Sequence, residues 1–133
     1  MCKDQWVAMR GVLAAQQSFF VLFASAFFVA FWYKDTAMSA ETYGRATDYP
    51  ALGWATWFFI GHGLAVVGFW RGYPLIAAAG LVFVSLAYLL IAHFSATAVY
   101  GAEFALHSFL VGTNLALLNA LVAVVFRRQL RHA

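Results

Sequence analysis

The chain has 133 residues, of which 65% are hydrophobic, 19% aromatic and only 10% charged. Its polar surface is too small to cover a water-soluble globule of this size, so the composition excludes an ordinary soluble domain and indicates a protein of the lipid bilayer. The net charge of +3 does not indicate nucleic-acid binding, because most basic residues lie near the two chain ends and form no stripe with interleaved aromatics.

Four apolar segments follow one another along the chain, each near the ~20 residues needed to cross a hydrocarbon core. Basic residues precede the first segment, as in a signal peptide, but the segment is longer than a signal core and is expected to be retained as a helix. The sequence therefore predicts an all-α integral membrane protein, an up-down four-transmembrane-helix bundle with short loops and a single domain. The predicted spans are about residues 11–33, 51–70, 75–94 and 103–126.

Proline and glycine mark the predicted boundaries. Pro50 and Pro74 each stand at the start of an apolar run, where the missing N–H of proline costs nothing. Gly72 lies between spans two and three and is a typical helix stop. The stretch from span two to span three is therefore predicted to form a tight antiparallel helical hairpin.

The distribution of charge predicts the orientation of the chain. The N-terminal tail, the turn at Arg71 and the tail at 127–133 hold six of the eight Lys and Arg residues. Because basic loops stay in the cytoplasm, both termini are expected there, in a bacterial cytoplasmic (inner) membrane. The outer loop, residues 34–50, is expected to be a solvated connector.

The fourth span is predicted to have two different faces. At ~100° per residue, Glu103, His107 and Asn114 fall within about 60° of one another. Small residues at four-residue spacing on the opposite side predict close packing against another helix. Asn114 is interpreted as a packing residue between helices. The opposite side carries Gly112, Ala116, Asn119 and Ala123, and the series of small residues is Gly112, Ala116 and Ala120.

His62 is expected about 16 Å deep, near the bilayer midplane, at ~1.5 Å per residue. An ionisable residue at this depth is a functional candidate. Alternatively, a neutral imidazole is hydrogen-bonded to an Asn, Ser, Gln or Tyr of a neighbouring helix, and Gly61, Gly63 and Gly68 allow close packing. The polar residues 16–18 of span one are open to the same two interpretations, as packing bonds or as the lining of a pathway.

The histidines supply the candidate cofactor and metal ligands. His62 and His107 are candidate cofactor-binding residues, although an expected depth difference of ~7–10 Å disfavours a haem held between them. Either residue could ligate a haem or chlorophyll-type pigment shared with another subunit. His93, Glu103 and His107 lie closer in depth and form a candidate zinc or copper site at the outer face. No spacing among these residues is diagnostic of one metal or cofactor.

Three functional hypotheses follow from these patterns. The chain contains no phosphate-binding glycine loop, dinucleotide fingerprint, nucleophile elbow or paired-histidine protease motif, so enzyme activity is not expected. The first hypothesis is a small non-catalytic membrane subunit or assembly factor, which packs against other membrane subunits or against further copies of itself. The second is a transporter, channel or proton or metal pathway. The third is a redox or pigment-binding membrane subunit. In the transporter, channel or pathway hypothesis, the functional residues are His62, His93, Glu103 and His107.

Overall fold

The computed structural model describes the backbone of residues 3–34, 47, 49–95 and 101–132. Side chains are described for residues 4–26, 47, 49, 50, 52–94 and 110–128. Apart from short turns, these residues form four α-helices. In chain order the helices are α1 (Lys3–Lys34), α2 (Ala51–Arg71), α3 (Pro74–Ser95) and α4 (Gly101–His132).

The predicted all-helical membrane architecture is confirmed. Each helix is long and apolar enough to cross a membrane, so the chain is an integral membrane protein. The helices are longer than the predicted spans at the chain ends: α1 begins at Lys3, and α4 continues through the predicted basic tail to His132. Arginine, glutamine and leucine are good helix formers, so the tail extends the helix. The predicted outer loop, 34–50, lies almost wholly outside the described residues.

The predicted stop at Gly72 is confirmed, because this residue ends α2 in the left-handed conformation with φ 76° and ψ 28°. The backbone N–H of Tyr73 donates to the carbonyl of Gly68 at 2.7 Å, and that of Gly72 donates to Phe69 at 3.2 Å. These bonds satisfy carbonyls that the helix end leaves free. Pro74 then begins α3, where its lack of an N–H is harmless.

Helices α2 and α3 form an antiparallel pair in close contact. A Cβ added at Gly68 would collide with the backbone of Ala77, and one added at Gly80 would stand 2.5 Å from the carbonyl oxygen of Gly61. The predicted packing role of Gly61 and Gly68 is therefore confirmed. The same prediction for Gly63 is wrong within the described part of the chain, because a Cβ there would meet no described atom within 4 Å.

The small-residue side of α4 packs into the bundle as predicted. Ala116, Asn119 and Ala123 are buried, and Ala123 has no exposed surface. A Cβ added at Gly112 would stand 3.0 Å from the ring of Tyr88, so the glycine lets this tyrosine approach α4 closely.

Side-chain contacts bring the start of α1, the α2–α3 turn and the distal part of α4 together at one end of the molecule. Trp6 stacks on Phe126 with ring centroids 4.2 Å apart and an interplanar angle of 21°. The guanidinium of Arg10 lies over Gly72, in the space that a side chain there would occupy. We call this the basic end, since Arg71 and Arg127 also lie beside these contacts in the chain.

Candidate functional site

His62 lies in the middle of α2 with only 3% of its surface exposed. Its Nδ1 is 2.7 Å from Oε1 of Gln17, and its Nε2 is 2.9 Å from the hydroxyl of Tyr88. An amide oxygen can only accept, so we assign the proton to Nδ1, which donates to Gln17. Nε2 then accepts from the Tyr88 hydroxyl. Both nitrogens of a neutral imidazole are thus used within the chain.

Aromatic rings enclose the His62 side chain. The Phe20 ring stacks on the imidazole with centroids 4.8 Å apart and an interplanar angle of 13°. The Tyr88 ring presents its edge at 5.8 Å and also packs against Phe58 at 4.7 Å. The imidazole is therefore held in one orientation by packing as well as by its hydrogen bonds.

Two consecutive glutamines of α1 contact different helices. Neighbouring residues on a helix point ~100° apart, so they can face two neighbours. Gln17 bonds to His62 of α2, whereas Oε1 of Gln16 accepts a hydrogen bond of 3.1 Å from Nδ2 of Asn119 in α4. Together with the His62–Tyr88 bond, these contacts join all four helices. We name these five residues, Gln16, Gln17, His62, Tyr88 and Asn119, the polar core.

Hydrogen bonds satisfy the buried polar side chains. The hydroxyl of Ser85 donates to the carbonyl of Val82 at 2.7 Å, and that of Ser18 donates to Ala14 at 2.8 Å. Within the described part of the chain, no buried side-chain nitrogen or oxygen lacks a hydrogen-bond partner. An unsatisfied polar group is costly in a bilayer, so this saturation favours the folded bundle.

Of the two candidate cofactor ligands, His62 and His107, the structure describes the side chain of His62 only. It places His62 in contacts with a Gln and a Tyr, two of the partner types that the packing interpretation named. Ligation of a cofactor by His62 would require the loss of one of these bonds. His107 lies in α4, but its side chain is outside the described residues. Cofactor binding by either histidine stays a prediction.

The candidate metal site is only partly described. His93 is exposed near the end of α3, with its ring tilted by 56° against Phe94. The side chains of Glu103 and His107 are outside the described residues. Among the side chains that are described, no group of three or more His, Cys, Asp or Glu residues could hold a metal ion. A site formed by His93, Glu103 and His107 therefore stays a prediction.

The structure corrects the interpretation of Asn114 as a packing residue between helices. Within a single chain it is not a packing residue, because its side chain is exposed. The α4 face that packs is the one that carries Ala116 and Asn119, and a residue at position 114 points away from it. Sequence reasoning had not singled out Tyr88 or Phe20. The available signal for Tyr88 was its hydroxyl within a largely apolar α3, three residues after the hydroxyl of Ser85.

Comparison with known proteins provides no template for this site. No family model, curated protein or solved structure matches the chain. The contacts of its own residues therefore carry the functional argument.

Proposed function

We propose that this chain is a small non-catalytic subunit or assembly factor of a larger membrane complex. The observation that carries the proposal is the saturation of the polar core: His62 uses both ring nitrogens to join α1, α2 and α3. Polar side chains that bond across helices act as glue in membrane proteins. The interior polar residues of the chain thus have a structural role. In this proposal the chain functions by binding other subunits through its outer surface.

The layer beneath the polar core supports this proposal. Leu13, Phe69 and Leu81 lie on the basic-end side of Gln17, His62 and Tyr88 in their helices. All three are buried, and Phe69 and Leu81 have no exposed surface. These buried apolar side chains thus lie between the polar core and the basic end. A pathway through a single chain would need polar groups or water to continue there.

The orientation belongs to the same proposal. Trp6 stacks on Phe126, which brings the start of α1 and the distal part of α4 to the basic end. Because basic residues stay on the cytoplasmic side, we place this end in the cytoplasm, with the chain as an up-down bundle in a bacterial inner membrane.

A proton pathway is the second candidate function, and the Gln17–His62–Tyr88 chain is the observation that favours it. An imidazole and a phenol 2.9 Å apart can exchange a proton along their hydrogen bond. Proteoliposomes with an internal pH dye test this candidate. Proton flux that Tyr88→Phe or His62→Leu abolishes would support it, whereas flux equal to that of empty liposomes would reject it.

The subunit proposal is tested on the full chain, tagged at its C-terminus and produced at its native level. We expect mild detergent to extract it together with larger membrane polypeptides in fixed stoichiometry, and the same complex to survive dilution. An untagged chain carried through the same purification controls for adventitious capture. Recovery of the tagged chain without other polypeptides, together with His62-dependent proton flux, would contradict the proposal. Absorbance and metal content of the same peak test the pigment hypothesis.

A further inference from the structure

The outward face of α4 carries a polar residue among apolar ones. Leu110, Leu117 and Leu121 are exposed by 40%, 45% and 59%. Asn114 is exposed among them. Its amide makes no hydrogen bond to any other described residue. By contrast, Thr56, an exposed polar residue of α2, satisfies its own hydroxyl through the carbonyl of Leu52 at 2.7 Å.

Asn114 lies deep in the membrane. Gly112, less than one turn away, touches Tyr88, which is bonded to His62 in the middle of α2. Thirteen residues separate Asn114 from Arg127 at the basic end, or ~20 Å at ~1.5 Å per residue. An amide at this depth that faces lipid would lose its hydrogen bonds to water and gain none.

The spacing of the exposed residues fits a second helix. Positions 110, 114, 117 and 121 are separated by four, three and four residues, which is the a and d pattern of a left-handed helix pair. Leucine at the d positions, with one asparagine at an a position, is an arrangement that fixes register in paired helices. The small-residue side of α4 faces its own bundle, so this second seam is free for another chain.

We propose that the α4 seam, residues 110, 114, 117 and 121, binds the same seam of a second copy of this chain. Two copies inserted in one membrane share one orientation, so a twofold axis along the membrane normal places both Asn114 residues at equal depth. The asparagine amide carries both a donor and an acceptor, and each copy can therefore satisfy the other. A different partner would have to supply a matching polar group at this depth. The inference does not depend on the proposed function.

Disulfide cross-linking tests the seam. In a Cys2→Ser background, we expect Leu110→Cys and Leu117→Cys, which keep the Asn114 amide, to give cross-linked dimers in membranes. The controls are Leu22→Cys of α1 and Val67→Cys of α2, at positions exposed by 70% and 52% in the wild-type chain. The controls are expected to stay monomeric under the same oxidation. Cross-linking that is equal at all four positions, or confined to the controls, would overturn the proposal.

Energy transfer between donor-labelled and acceptor-labelled copies in liposomes tests the role of the amide. We expect dilution with lipid to dissociate Asn114→Leu about five- to thirty-fold more readily than the wild type, and Asn114→Gln to retain much of the association. Unchanged unfolding of Asn114→Leu in detergent shows that the fold is intact. A wild type that is monomeric at every lipid ratio, or an Asn114→Leu variant that associates normally, would refute the seam.

The native complex separates this inference from the proposed function. If the chain co-purifies with larger subunits but its Leu117→Cys variant cross-links to one of them, the second-copy proposal is wrong and the subunit proposal stands. If the chain is recovered only as a pair that Leu117→Cys cross-links, the second-copy proposal stands and the subunit proposal is wrong.

Discussion

Replacement of His62 by leucine removes the centre of the polar core while leaving a side chain of similar length in the space against Phe20. The change deletes the 2.7 Å bond to Gln17 and the 2.9 Å bond to Tyr88. It also leaves the Gln17 amide oxygen and the Tyr88 hydroxyl facing an apolar side chain. The perturbation therefore measures how far these bonds hold α1 and α3 on α2.

The expected cost follows from the two bonds. Interhelical hydrogen bonds in membrane proteins contribute ~0.6 kcal/mol on average and up to ~1.7 kcal/mol. A buried polar group left without a partner costs about 1–3 kcal/mol. Gln17 is 1% exposed and has little access to lipid headgroups or water. We therefore expect His62→Leu to lower the free energy of unfolding by about 2–4 kcal/mol, and Tyr88→Phe to lower it by ~1 kcal/mol.

Unfolding by sodium dodecyl sulfate in mixed micelles, followed by far-ultraviolet circular dichroism, measures both variants and their combination. The double variant should cost less than the sum of the single ones, because either substitution alone already breaks the His62–Tyr88 bond. Leu64→Ala, at a position 41% exposed on the same helix, is the matched control with an expected small effect. Strict additivity, or a His62→Leu variant as stable as the wild type, would refute a structural role for these bonds.

Three further predictions concern the packing of the bundle and are checked by the same unfolding titration. Gly68→Ala should destabilise the chain by more than ~1 kcal/mol because its Cβ meets the α3 backbone, whereas Gly63→Ala should stabilise it by up to ~1 kcal/mol; equal effects would contradict the close α2–α3 contact. Gln16→Leu and Asn119→Leu should each cost ~1 kcal/mol and show coupling in the double variant, and independent effects would mean that their 3.1 Å bond contributes nothing. Gly72→Ala should cost about 1 kcal/mol through its positive φ, and an unaffected variant would argue against the left-handed helix end.

The sequence predicted the helices well because the bilayer imposes strong constraints on length and polarity. Runs of ~20 apolar residues have few alternatives to a spanning helix. Gly72 and Pro74 marked the α2–α3 turn through local backbone chemistry, which needs no knowledge of the rest of the fold. The packing side of α4 was also predictable, since the spacing of its small residues is a local pattern. The packing prediction for Gly63 was wrong because a glycine alone does not reveal which side of a helix faces its neighbour.

Polar partners were harder to predict than helices. The sequence placed His62 at mid-depth, but which residues meet it depends on the rotation of three helices. Tyr88 is 15 residues into α3, and its contact with His62 depends on the α2–α3 register, which the close contacts at Gly61, Gly68 and Gly80 set. Such contacts depend on the tertiary structure. The sequence therefore identified His62 as a candidate but did not identify Gln17 and Tyr88 as its partners.

Asn119 and Asn114 lie on opposite faces of α4, one buried in the bundle and the other exposed. The two residues differ by five positions, which turns their side chains ~140° apart at ~100° per residue. Asn119 faces α1, where Gln16 supplies a partner inside the chain, and it is 7% exposed. Asn114 faces outward, and in the proposed pair its partner is Asn114 of a second copy. A bilayer offers neither residue water, so the same side-chain chemistry stabilises the fold on one face of α4 and, in the proposed pair, favours association on the other.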